Sequence, residues 1–256
     1  MLPLPQRSYR TIWISDVHLG TRSCKADFLL NFLHHHHSEY LYLVGDIIDA
    51  WQLKKSWFWP QSHNDVIQKI LHKAHNGTKV YYIPGNHDEI FRKYAGILQF
   101  GGIILITEIV HKTIDGRQLL VLHGDLCDKV MHRTRWLMHL GDWIYVAILD
   151  LNHVFNKIRC KLGYPYWSLP TYLKCKVKNA LNFIATYERI IIKQALNRKL
   201  DGIVCGHIHH AKISKIEGIL YCNDGDWVEN CTALVEDWDG TLSIVHWSSI
   251  LETVKK

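Results

Sequence analysis

Residues 40–49 read Tyr40-Leu-Tyr-Leu-Val-Gly-Asp-Ile-Ile-Asp49, an apolar run closed by a glycine and two acids. Tyr40 to Val44 is too short for a helix and rich in aromatic and branched side chains, so it predicts a buried strand ending at Gly45-Asp46. Two other stretches share this form. Arg10 to Ile14 leads into Asp16-Val17-His18, and Lys79 to Ile83 leads into Pro84-Gly85-Asn86-His87-Asp88. Helical spacing fills the gaps, over Asp27 to His36 and over Asp65 to His75, the second closed by Asn76-Gly77. The first 85 residues therefore predict β-α-β-α-β, with strands joined by helical crossovers.

Outward from this block, Ile103 to Ile106, Ile109 to Ile114 and Gln118 to Leu122 are further strand candidates, with Asp115-Gly116 as a hairpin turn. The far end repeats the style in Gly202 to Cys205, Ala211 to Ile216, Ile219 to Cys222, Thr232 to Glu236 and Leu242 to Trp247. Glu217-Gly218 and Asp239-Gly240 supply turns. Lys129 to Lys199 differs: it has few strand signals and two long helical patterns, broken around Gly163 to Pro170. The first of these is apolar almost all round, but Asp142, Asp150 and His153 interrupt it, which argues against a membrane span. The expected organisation is a single α/β domain over 1–256 with a helical insert, a lid, over 129–199.

The 256 residues suffice for one large core, and 48% hydrophobic with 21% charged residues is ordinary globular composition. A net charge of +6 suits an anionic partner such as a phosphate substrate or acidic lipid. Seven cysteines, an odd number with no C-x-x-C pair, argue against a disulfide framework and a structural zinc site and fit a reducing cytosol. Met1 to Tyr9 holds no apolar leader, which also predicts a cytoplasmic location. Among the 18 histidines, the run His34 to His37 continues a helical pattern of Phe28, Leu29, Phe32 and Leu33. It is read as a helix end reaching the surface.

Five short motifs follow apolar runs: Asp16-Val17-His18, Gly45-Asp46-Ile47-Ile48-Asp49, Gly85-Asn86-His87-Asp88, His123-Gly124-Asp125 and Gly206-His207-Ile208-His209. In an open α/β sheet, loops at the carboxyl ends of strands gather at one edge, where ligands bind. Asp, Asn and His collected there suit divalent ions such as Mn, Fe or Zn, and the motifs contain no thiolate. A carboxylate can bridge two ions ~3.5–4 Å apart, the spacing that two-metal hydrolases use to steady the attacking and leaving oxygens. Each motif alone is a weak signal; all five, in order and each after a strand-like run, point to hydrolysis of a phosphate ester or pyrophosphate.

The combined set resembles the calcineurin-like metallophosphoesterase superfamily, over residues 10 to 247. The resemblance implies a four-layer α-β-β-α sandwich and two metal ions. By motif, Asp16, His18, Asp46 and His209 would hold one ion, and Asp46, Asn86, His123 and His207 the other, with Asp46 bridging. His87 would act on the phosphate and protonate the leaving group, with Asp49 fixing its tautomer. Asp88 and Asp125 are read as structural groups. All seven ligand positions are intact, which argues against a non-catalytic scaffold.

The His-Gly-Asp at 123, the stretch Tyr187 to Ala195, Gly-His-Ile-His-His at 206 and Asn223 to Asn230 are similar to a bacterial branch of that superfamily, the UDP-2,3-diacylglucosamine diphosphatases of lipid A biosynthesis. That similarity implies a lipid-linked sugar nucleotide as substrate, UMP and a lipid monophosphate as products, manganese as the usual metal, and work at the inner face of the plasma membrane. The apolar insert agrees with such a substrate through its basic residues (Arg133, Arg135, Lys157, Arg159) and its aromatic cluster (Tyr164, Tyr166, Trp167, Tyr172). The chain departs from the branch at His87, where the branch usually has Arg, which would clamp a diphosphate bidentately. A soluble phosphodiesterase acting on nucleotides or nucleic acid is the alternative. Nucleic acid fits less well, because much of the aromatic content sits in apolar helices rather than along a basic stripe.

Overall fold

The computed structural model describes residues 6–129 and 178–254. The greater part of the expected insert, residues 130–177, therefore lies outside the described residues, together with the basic and aromatic residues named above for it.

The chain order is β1 (Arg7–Ile14), α1 (Ala26–His35), β2 (His36–Val44), α2 (Ala50–Lys55), α3 (Gln61–His75), β3 (Lys79–Ile83), a 3-10 turn (Glu89–Tyr94), β4 (Gln99–Phe100) and β5 (Ile103–Leu105). There follow β6 (Ile109–Lys112), β7 (Gln118–Val121), a second 3-10 turn (Asp125–Lys129), α4 (Lys178–Asn197), β8 (Gly202–Cys205), β9 (Lys212–Ile216), β10 (Ile219–Asn223), β11 (Thr232–Glu236), β12 (Leu242–His246) and α5 (Trp247–Val254). These strands form two sheets, one of seven strands in the order β12-β11-β1-β2-β3-β5-β4 and one of five in the order β6-β7-β8-β10-β9. Within the first sheet β1, β2, β3 and β5 run parallel, and within the second β7, β8 and β10 do.

The layering follows from which side chains are apolar. Trp13, Tyr42, Val44 and Ile83 of the first sheet meet Leu119, Val121, Val204 and Cys222 of the second, so both sheets bury an inner face. Helix α1 turns Ala26, Leu29, Phe32 and Leu33 onto the outer face of the first sheet, at three- and four-residue spacing. Helix α3 does the same with Val66 and Ile70. On the second sheet, α4 buries Tyr187, Ile191, Ile192 and Ala195. The result is the α-β-β-α sandwich, and the last stretch of the 129–199 insert is its outer helical layer. Among the described residues no helix is long and apolar enough to cross a membrane.

Several boundaries differ from the sequence reading. Helix α1 ends inside the histidine run, at His35, and His36 opens β2 four residues earlier than expected, paired with Arg7 of β1. His36 is buried, stacked on Tyr9 and Phe32 and edge-on to Trp247, and its Nδ1 donates to Phe32 O. The run therefore straddles a helix–strand junction, with only His34 and His37 exposed. At the other end, Trp247 leaves the strand and begins α5, its ring packing on Phe32 and its backbone N–H donating to Cys231 O. The short helix α2 follows Asp49, which caps it by accepting from Gln52 N at 2.7 Å.

Candidate metal centre

The parallel strands send their carboxyl ends to one edge, and the five motif loops meet there. Asp16 and His18 follow β1, Asp46 follows β2, Asn86 and His87 follow β3, His123 follows β7, and His207 and His209 follow β8. Two of the three groups of close donor atoms partition six of the seven expected ligands: Asp16, His18 and His209 form one, and Asp46, His123 and His207 the other. Asp46 lies with the second group by distance, and its charge acts on His18 of the first.

The glycines of these motifs are required by crowding. A Cβ on Gly85 would lie 2.2 Å from Asp46 Oδ1 and 2.7 Å from His123 Nε2. One on Gly206 would lie 2.5 Å from Asp16 Oδ2. Backbone therefore approaches the site as closely as ligand side chains allow.

Several of these donors are aimed by a second bond. His123 Nδ1 donates to Val44 O at 2.8 Å, and because a carbonyl can only accept, the lone pair of neutral His123 is at Nε2, facing Asp46 Oδ2 at 3.3 Å. Asp49 Oδ2 lies 3.1 Å from His18 Nδ1 and 2.9 Å from His87 Nδ1. That places both imidazoles with Nδ1 as donor, and His18 presents Nε2 towards Asp16. With Oδ1 capping Gln52 and Oδ2 holding two imidazoles, Asp49 is committed as an orienting group, although it too sits in a close donor group with His18 and His87. Asp46 Oδ1 accepts from His87 N at 2.8 Å, and Asp16 Oδ2 accepts from His207 N at 2.8 Å.

These donors fit a cation. His18 Nε2 and Asn86 Oδ1 are buried and make no hydrogen bond, while Asp16 Oδ1 faces His209 Nε2 at 3.0 Å and His123 Nε2 faces Asp46 Oδ2 at 3.3 Å. A buried polar atom left so costs about 1–3 kcal/mol, a cost that bound cations would relieve. The electrostatics agree. Burial opposes ionisation of Asp16, yet the His209 charge and hydrogen bond and the His123 charge hold it well below the usual carboxylate range. Asp46 is held low in the same way by His123, His18 and His87. Burial likewise opposes the His18 imidazolium, but its bond to Asp49 and the charges of Asp46, Asp49 and Asp16 lift it to about 9. The centre is thus a fixed negative cage that demands positive charge.

Asp88 and Asp125, read from the sequence as structural groups, support the site together with Ser15, Asp224 and Trp51, whose roles sequence reasoning missed. Asp88 accepts from the backbone of Ile47 at 2.9 Å and of Asp46 at 3.3 Å, and from the Tyr82 hydroxyl, so it shapes the loop that carries Asp46. Asp125 pairs with Arg92 at 2.6 Å, tying the loop after β7 to that after β3. Ser15 Oγ lies 2.5 Å from Asp16 Oδ2 and 2.6 Å from Asp224 Oδ1. One hydroxyl proton serves only one of these carboxyls at a time, and burial pushes the Asp224 carboxyl well up. Trp51, on α2 and 40% exposed, packs its ring 4.5 Å from that of His87. The repeated acids of Asn223-Asp-Gly-Asp226 are the one sequence signal that pointed here.

The calcineurin-like phosphoesterase family pattern matches residues 9–211, and the chain belongs to that family. It is a metal-dependent phosphoesterase. Among curated proteins it is similar to the UDP-2,3-diacylglucosamine hydrolase of Blochmanniella floridana, at 28% identity over 80% of this chain and 82% of that one. The hydrolase of the same name from Psychromonas ingrahamii is 26% identical over 86% and 91%. Among solved structures, the E. coli phosphoesterase Yfce superposes with a TM-score of 0.43 at 13% identity, over 92% of this chain and 98% of that one.

Proposed function

We propose that this chain hydrolyses the diphosphate of a lipid-linked sugar nucleotide of the UDP-2,3-diacylglucosamine class, releasing UMP and a lipid monophosphate. The carrying observation is the pair of donor groups with His87 at their rim, its side chain 28% exposed and its Nδ1 held by Asp49. The hydrolases named above support the substrate class, since each aligns over four-fifths or more of both chains.

In this reading Asp16, His18, Asp46 and His209 would hold one divalent ion, and Asp46, Asn86, His123 and His207 the second. When bound, such ions, manganese by preference, would supply an activated water and offset the charge of the phosphoryl oxygens. The chain's own groups do the rest. Asp49 accepts Nδ1–H of His87, leaving Nε2 directed at the substrate. A protonated His87 then donates Nε2–H to a phosphoryl oxygen or to the leaving oxygen. Trp51 limits rotation of the His87 ring. A single imidazole cannot make the bidentate clamp of a guanidinium, so His87 also favours a second reading, a phosphodiesterase acting on nucleotides.

The test is hydrolysis of UDP-2,3-diacylglucosamine and bis-p-nitrophenyl phosphate side by side with Mn²⁺. A strong preference for the lipid supports the proposal. Cleavage of the simple diester alone overturns the lipid assignment and supports the second reading.

A further inference from the structure

The opposite end of the first sheet carries a concentration of positive charge that the metal centre does not use. Strand β2 runs for nine residues from His36 to Val44, which places its start about 26 Å from the catalytic edge. There the α1–β2 junction faces the last turns of α3 across a pocket of about 260 Å³, lined by His37, Ser38, Lys69, His72, Lys73 and Thr78 among others.

Three observations make this more than a solvated surface. Lys73 is 5% exposed, and its ammonium donates to a neutral group, the His36 carbonyl, at 2.5 Å. The Ser38 hydroxyl on the pocket wall is enclosed and makes no hydrogen bond. The charged groups that bear on one another here are all basic: Lys69, His72 and Lys73 from α3, His34, His35, His36 and His37 from the α1–β2 junction, and Arg7 from β1. The nearby acids are engaged elsewhere, Glu39 with Lys79 and Asp65 with Gln61. Burial first, and the neighbouring cations second, lower Lys73 to about 8. The dipole of α3 favours cations at its carboxyl end, but it acts on exposed side chains as well and does not call for one to be buried.

We infer that this pocket is a second ligand site, remote from the metals, for a phosphate-class anion held by Lys69, Lys73, His72 and the Ser38 hydroxyl. An ammonium pair, an imidazole and a free hydroxyl are a donor set without an acceptor-only group, which is what a tetrahedral oxyanion requires. The phosphate has two possible sources, a free phosphate or nucleotide, and the headgroup of an anionic lipid; the chemistry at the pocket is shared.

The test uses the intact, zinc-loaded protein, labelled with ¹⁵N, titrated with inorganic phosphate at pH 6.5 and matched against KCl at equal ionic strength. Amide signals of Ser38, Gly77 and Thr78 report this pocket separately from the metal edge. Saturable phosphate-specific shifts there, weakened about tenfold or more in the double variant Lys69→Gln/His72→Gln, support the site. Both replaced side chains are at least partly exposed, and the same spectra show that the variant is folded. Shifts that follow KCl alone, or equal affinity in the variant, overturn it. Sedimentation with phosphatidylglycerol against phosphatidylcholine vesicles then separates the sources. Phosphatidylglycerol binding lost in the variant assigns the headgroup, and phosphate binding without vesicle binding assigns the free anion.

Discussion

Replacing Asp49 with Asn isolates the orienting role from the fold. The carboxylate makes three bonds: Oδ1 accepts from Gln52 N at 2.7 Å, and Oδ2 faces His18 Nδ1 at 3.1 Å and His87 Nδ1 at 2.9 Å. An Asn that keeps the helix cap puts its NH₂ group where Oδ2 stood. Two imidazole nitrogens that were donors must then accept. Neutral His18 moves its proton to Nε2, the atom turned towards Asp16, and can no longer ligate a metal there. Loss of such an orienting partner costs 10- to 100-fold in metal affinity, or about 1.4–2.7 kcal/mol. An Asn that flips instead restores the imidazole bonds and loses the cap of α2, at about 1 kcal/mol of stability. Calorimetric titration with Zn²⁺ reads the first outcome and the melting temperature of the metal-stripped protein the second. Wild-type metal affinity at both sites together with an unchanged melting temperature would refute the assigned role of Asp49.

Three further outcomes follow from the same geometry. His87→Ala should retain both metals and lose roughly 10²-fold or more in kcat; loss of metal in elemental analysis would show that His87 is a ligand. Gly85→Ala places a Cβ 2.2 Å from Asp46 Oδ1, so it should lower metal content and activity together, and a fully metallated, active variant would contradict the crowding. Metal-stripped protein should lose stability as pH rises. His18 is raised from 6.5 to about 9 in the folded state, so its contribution is complete below about pH 6.5 and is lost on passing through pH 9. Metal-loaded protein has exchanged that proton for the ion and should show a flat melting temperature over the same range in a pH series.

Much of this was legible because strand and motif coincide. Tyr40 to Val44 and Lys79 to Ile83 are strands bounded by Gly45 and Pro84-Gly85, and their ends carry Asp46 and Asn86. Period-based reading failed where tertiary contacts decide. His36 and His37 continue a helical pattern, but backbone pairing with Arg7 and Ser8 of β1 takes them into the sheet. Trp247 continues a strand pattern, but its ring has a slot between Phe32 and His36 that only a change of direction fills. Asp49 and Asp88 stand three and two residues from motif ligands, and nothing local distinguishes the one that aims histidines from the one that gathers backbone amides. That distinction is made by chain segments about 40 residues away.

The backbone at the ligands explains why these loops are so short and so specific. Asp16, His18, Asp46, His207 and His209 all have left-handed φ, between 51° and 70°. Asp and His tolerate that region better than most residues, yet each still costs on the order of 1–3 kcal/mol, and glycine would be free of the cost. The conformation persists because the loops hold one another. Asp16 N donates to Gly45 O, Val17 N and His18 N to Asp46 O, Leu19 N to Ile47 O, and Trp227 N to Asp16 O. On the proposed ligand assignment, the residue types at these five positions are set by metal chemistry against the backbone preference. Ions that bind the folded state alone offset the strain by mass action, so the same loops that are costly in the bare chain become a stabilising element once the metals are bound.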